Sequence, residues 1–166
     1  MIKTEAKAEV KELIQDVILI TYDLPAKEKH ARTSFLKSAF SIGAIQHTES
    51  CYLLPFSEKA FGLANKLKAI GDVIIWKSRQ EDLKMASEIT MSYSSAVQAR
   101  CQTVEQRLVI AQDHLAAGRL GMAKRVKGIT GKLLAELWQI NETFTPDWLK
   151  PKLLKLAKKY KEVHGG

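Results

Sequence analysis

The chain lacks most of the features that assign a function quickly. No apolar run approaches the ~20 residues that cross a bilayer. Lys3, Glu5, Lys7, Glu9, Lys11 and Glu12 stand where a secretory leader would have its apolar core. No membrane association is expected, and the expected setting is the cytoplasm. There are only two cysteines, Cys51 and Cys101. They have no metal-ligand spacing and each lies in an apolar pattern, which predicts reduced core thiols rather than a disulfide framework. The four histidines, His30, His47, His114 and His164, share no spacing, and no Ser-His-Asp or Cys-His arrangement can be assembled. Gly118, Gly121, Gly128 and Gly131 are not a phosphate loop, because no strand precedes them and no Gly-Lys-Ser/Thr follows. Small residues at that spacing more often let helices approach closely.

What is present is an ordinary apolar content and an uneven charge. Within 166 residues the apolar fraction is 46%, enough for one medium domain or a small one with a helical appendage. The net charge is +8. Residues 119–166 hold 11 Lys/Arg against 4 Asp/Glu, a net +7, while the remaining 118 residues hold 15 against 14, a net +1. A basic C-terminal third favours a polyanion: DNA, RNA or an acidic membrane surface. The alternative is that lysines coat exposed helix faces for solubility.

The N-terminal part alternates strand and helix signals. Val17-Ile18-Leu19-Ile20-Thr21-Tyr22 reads as a buried strand that runs into Asp23 and is stopped by Pro25. A charged helix is expected before it, over 4–15, with Thr4 as N-cap. Helix one follows over 26–40, carrying Ala31, Phe35, Leu36, Ala39 and Phe40, and is ended by Gly43. Residues 44–54 read as two short strands around Thr48-Glu49 or as one bent strand, closed by Pro55. Helix two spans 57–69 with Ser57 as N-cap. Val73–Trp76 is the last strand, after a Gly71-Asp72 turn. Strand-helix-strand-strand-helix-strand is the order of a ferredoxin-like, four-stranded antiparallel sheet, so the expected class is α+β. Trp76, Trp138 and Trp148 are expected as core or interface anchors.

Beyond residue 80 the period changes. Val97, Cys101, Val104, Leu108, Ala111 and Leu115 step by 4, 3, 4, 3, 4, a heptad seam. Ala117-Gly118 breaks it. Val126, Thr130, Leu133, Leu137, Ile140 and Phe144 resume similar spacing, which predicts an antiparallel helical hairpin. A first helix unbroken from ~81 to ~117 would be roughly 54 Å long at 1.5 Å per residue. That exceeds what a small sheet covers, so part of it should meet the second helix or another subunit. Pro151 should limit the next segment to one turn at 146–149 and start the last helix at 151. That helix would bury Leu149, Leu153, Leu156, Tyr160 and Val163. The expected divisions are an N-terminal helix (1–16), a ferredoxin-like domain (17–79), a helical hairpin (80–145) and a basic terminal helix (146–166).

Within Val17–Ser78, Tyr22-Asp23 at the strand end resembles the ferredoxin-like domain shared by the CRISPR-adaptation small subunit and the C-terminal part of phenylacetate-degradation repressors. Leu24-Pro25, Arg32, Leu36-Lys37, Gly43-Ala44 and Tyr52-Leu53-Leu54-Pro55 resemble more closely the N-terminal domain of chromate-resistance (ChrB-type) regulators. The helical stretch after it, with an aromatic at Tyr93 and a last helix to Phe144, is similar to that family too. The lysine-rich end at Gly166 departs from the longer members of the family. The resemblance implies a non-enzymatic, nucleic-acid-associated or regulatory protein. Its relation to the CRISPR group implies a second possibility, in which Asp23 from each subunit of a homodimer holds one Mg²⁺ that activates water on a phosphodiester.

Asp23 is the one candidate catalytic and metal-binding residue, and the alternative for it is a helix cap. Lys27, Lys29, His30 and Arg32 can meet phosphates or simply face solvent. Arg119, Lys124, Arg125, Lys127 and Lys132, with Lys152, Lys155, Lys158, Lys159 and Lys161, are the candidate nucleic-acid contacts. A homodimer through the sheet, the long helix or both is expected, with no cofactor outside the Mg²⁺ possibility. A pure oligomerisation or scaffold module is the third reading.

Overall fold

The computed structural model describes residues 13–23 and 29–165. The chain is α+β, with a four-stranded antiparallel sheet and several helices. It forms two compact units, Met1–Ser94 and Ser95–Gly166. The helix expected over 4–15 falls for the most part outside the described residues, as do the start of helix one and Lys27. Residues 13–15 are not helical and lead directly into the sheet.

In the first unit, β1 (Asp16–Asp23) is the apolar run read from the sequence. It pairs antiparallel with β3 (Cys51–Pro55) on one side and β4 (Asp72–Arg79) on the other. β2 (Ile45–Thr48) pairs with β3, so the order is β2-β3-β1-β4. Residues 44–54 therefore make two strands, separated by a turn at Glu49-Ser50. Because β1 is central, Val17, Ile18 and Ile20 are fully buried although they alternate faces. One face carries Ile18, Ile20 and Tyr22 beside Leu54 and Tyr52. Helix α1 (Lys29–Ser41) packs there through Phe35, whose ring lies 4.3 Å from Tyr22 and 5.7 Å from Tyr52. Gly43 at φ 91° takes the left-handed turn that ends α1. Helix α2 (Glu58–Asn65) starts where expected, with Ser57 Oγ accepting from Ala60 N at 3.0 Å, but it tightens into a 3-10 turn over Lys66–Ala69.

The other face carries Val17, Leu19 and Thr21, opposite Leu53 and Cys51 on one side and Trp76 and Ile74 on the other. Leu53 and Ile45 are buried, whereas Ile74 is 56% and Trp76 54% exposed. Trp76 is thus not a core residue. It stands on the edge strand, where alternation turns every second side chain away from the α1 face. The first turns of helix α3 (Leu83–Ala116) belong to this unit. Ile14 N donates to Thr90 Oγ1 at 2.8 Å, and the buried Tyr93 hydroxyl donates to the Gly43 carbonyl at 2.8 Å.

The second unit holds the rest of α3, then α4 (Leu120–Ile140) and α5 (Leu149–His164). Val97, Cys101, Val104, Leu108 and Ala111 are buried as the heptad spacing requires, but Leu115 is 39% exposed, so the seam ends before the helix does. Gly118, at φ 68°, makes the turn between α3 and α4. Helix α4 follows that turn directly and buries Ala123, Thr130, Leu134, Leu137 and Ile140. Leu134 therefore occupies the inner face in place of Leu133. Thr130 is accommodated by donating its hydroxyl to Val126 O at 2.8 Å. Gly131 has an internal packing reason, since an added Cβ would stand 2.9 Å from Tyr160 Oη, whereas Gly121 and Gly128 have no neighbour within 4 Å.

Pro151 does not delay α5. The helix already runs from Leu149, and Pro151 falls in its first turn. Amide groups there have no partner within the helix, so the missing N–H costs nothing. Leu149, Leu153, Leu156 and Val163 are buried as expected, while Tyr160 is half-buried.

Candidate functional site

Asp23 is the exposed last residue of β1, held by the sheet rather than by a loop. Its Cα partner across the strand pair is Asp72, the first residue of β4. Opposed residues of an antiparallel pair share a face and stand close, and like charges there repel. The sheet thus brings a second carboxylate beside Asp23, one that sequence reasoning passed over as part of a turn. Only the β1–β4 register reveals it, and register is a tertiary property. Among the described residues no group of three or more His, Cys, Asp or Glu side chains is placed to hold a metal ion. Two carboxylates leave most of the hard-cation coordination shell to water or substrate.

Behind this end of the sheet, Tyr22 N donates to Ser50 O at 3.2 Å, which ties β1 to the β2–β3 turn. The Tyr52 hydroxyl is pushed up to about 12, by burial first and then by its hydrogen bond with Tyr22, so it stays neutral and does not serve as a base near pH 7. His30 and Arg32 are exposed on the first turns of α1.

The basic residues divide into two sets. Lys124, Arg125 and Lys132 lie exposed on α4, opposite its buried stripe, and Arg119 stands exposed just before the helix. Lys155 and Lys158, with Lys150 and Lys161, are exposed on α5, and Lys159 is half-buried. Of these, Lys158 makes a long 3.9 Å pair with Glu162. Lys127 and Lys152 are different. Lys152 Nζ sits 2.6 Å from Glu105 Oε1 on α3, and Lys127 Nζ donates to the His164 carbonyl at 3.4 Å. These two cations are directed within the unit, and helical periodicity alone does not distinguish them from their neighbours. Glu136, on α4, has its carboxyl pKa raised by burial, partly offset by Arg100 and Lys132.

Two cavities open in this unit. One, of about 300 Å³, is lined by Gln98, Cys101, Gln102, Trp148 and the stem of Lys152. Trp148 is half-buried at its mouth. The Cys101 thiol pKa is raised by burial, with Lys152 acting against it, so the thiol is a poor nucleophile. The other, of about 400 Å³, lies between the α3–α4 turn and the end of α5. Neither was visible in the sequence, because each draws on segments far apart in the chain.

No helix among the described residues is long and apolar enough to cross a membrane. Compared with family models, with curated proteins and with solved structures, the chain matches none of them.

Proposed function

We propose that this chain is a nucleic-acid-associated protein of regulatory type, of the kind the chromate-resistance resemblance implies, which binds phosphates through the basic faces of α4 and α5 and catalyses nothing. The observation that carries this reading is the segregation of charge. Arg119, Lys124, Arg125 and Lys155 are exposed and make no ion pair among the described residues. Such cations are free to release counterions from a phosphate backbone. The first unit acts as a ferredoxin-like module, a reading supported by its strand order and its strand-helix-strand-strand-helix-strand sequence. Ile74 and Trp76, exposed on an unpaired edge strand, support dimerisation through β4.

The test is binding to labelled duplex DNA across a salt series with Mg²⁺ present. A log–log slope steeper than about −3, near −0.9 per phosphate contact, is expected. Absence of binding at low salt makes the lysines a solubility coat. The opposition of Asp23 and Asp72 favours one second reading, a Mg²⁺-dependent nuclease. In that case the DNA is shortened in the same assay, and Asp23→Ala or Asp72→Ala abolishes the shortening. Intact DNA, or cleavage unchanged in both variants, rejects it.

A further inference from the structure

The 400 Å³ cavity combines an apolar wall, two cations and a buried polar atom. Its wall is apolar: Leu115 from the end of α3, Leu120 and Ala123 from the start of α4, and Val163 from the end of α5. Leu120 is 69% exposed, so this apolar surface is left uncovered by the described chain. Two cations, Lys124 and Lys127, line the same space. Neither is neutralised by a carboxylate. Lys124 makes no ion pair among the described residues, and Lys127 meets only a carbonyl at the long distance of 3.4 Å. The third polar group is His164, whose ring packs edge-on against Tyr160 at 4.8 Å. Its Nε2 is buried and has no hydrogen-bond partner among the described residues. A buried polar atom without a partner is costly, and the cost is relieved when something outside the chain supplies one.

An apolar wall excludes a bare inorganic anion as the best fit, since it would leave Leu115, Leu120 and Val163 in water. Two unpaired ammonium groups exclude a purely apolar guest. We propose that this cavity binds an organic carboxylate with an apolar body of roughly eight to twelve carbons. Its head meets Lys124, Lys127 and the His164 imidazole, and its tail lies on Leu115, Leu120 and Val163. A cavity of this volume is at the small end of ligand sites. Lys124 also belongs to the basic surface assigned above. Occupancy therefore removes one phosphate-binding cation and weakens nucleic-acid binding. This regulatory consequence rests on the proposed function, whereas the binding itself does not.

The test uses the full chain and octanoate as probe, followed by methyl and imidazole NMR shifts, with acetate and octanol as controls. Octanoate should saturate and shift the signals of Leu115, Leu120, Val163 and His164. Acetate, without the tail, and octanol, without the charge, should each bind at least tenfold more weakly. Lys127→Gln should weaken octanoate tenfold or more. Leu120→Ala, at a position exposed enough to leave folding intact, should weaken octanoate while leaving acetate unchanged. Equal shifts with acetate and octanoate, or full affinity in both variants, overturn the site. In the duplex assay, saturating octanoate should lower affinity at least threefold, and an unchanged affinity overturns the regulatory coupling. A chain that takes octanoate but binds no duplex at any salt rejects the proposed function and leaves the cavity's ligand standing.

Discussion

Lys152 and Lys155 lie three residues apart on α5, and the structure gives them different surroundings. Lys152 reaches α3 and sits 2.6 Å from Glu105, with side chains 35% and 42% exposed. Lys155 faces solvent. Exposed ion pairs contribute about 0.2–1 kcal/mol, and a short charge-assisted hydrogen bond at a half-buried site belongs at the upper end of that range, near 1 kcal/mol. The Lys152 stem also lines the Trp148 cavity, so its loss removes packing as well as charge. Lys152→Gln should therefore lower stability by about 1 kcal/mol in urea, an effect of roughly 4–8 °C in melting temperature for a unit of this size. It should leave the salt slope of DNA binding unchanged. Lys155→Gln should do the reverse, with stability within about 0.5 kcal/mol of the parent and a slope shallower by about 0.9. A cycle with Glu105→Gln isolates the pair from the lost packing. The reasoning fails if Lys152→Gln flattens the slope as much as Lys155→Gln and costs no stability, because Lys152 would then be a surface cation like its neighbours.

Two further outcomes test the architecture. Tyr93→Phe removes the hydroxyl that donates to the buried Gly43 carbonyl. Leaving that acceptor unpaired should cost about 1–3 kcal/mol, read by urea denaturation of the sheet signal, and a change below about 0.5 kcal/mol would mean the bond does not hold α3 to the α1–β2 turn. For the thiols, burial raises both pKa values, but Cys51 is half-buried and Cys101 fully buried. A thiol-reactive disulfide reagent at pH 8 should label Cys51 first and Cys101 only with denaturant, and equal rates would contradict the packing of α3.

Much of the fold was legible in local pattern, because local pattern is what forms strands and helices. Val17–Tyr22 is nearly all apolar, which fits a strand covered on both faces. Ser57, Gly43 and Gly118 mark helix ends by their own backbone chemistry. The steps from Val97 to Ala111 specify a buried helical stripe wherever the helix goes. What escaped that reading depends on how segments meet. Trp76 fitted a core or an interface place equally, and its position on an edge strand leaves it exposed. Pro151 looked like a barrier, but where α5 begins decides whether its missing N–H matters. The β1–β4 register alone sets Asp72 beside Asp23, since a shift of one residue would put them on opposite faces. Lys127 and Lys152 share composition and period with the lysines around them, and only the neighbouring helices direct them inward. Composition concentrated the positive charge in residues 119–166. Helix packing within the second unit decided which of those charges remain free to meet a phosphate.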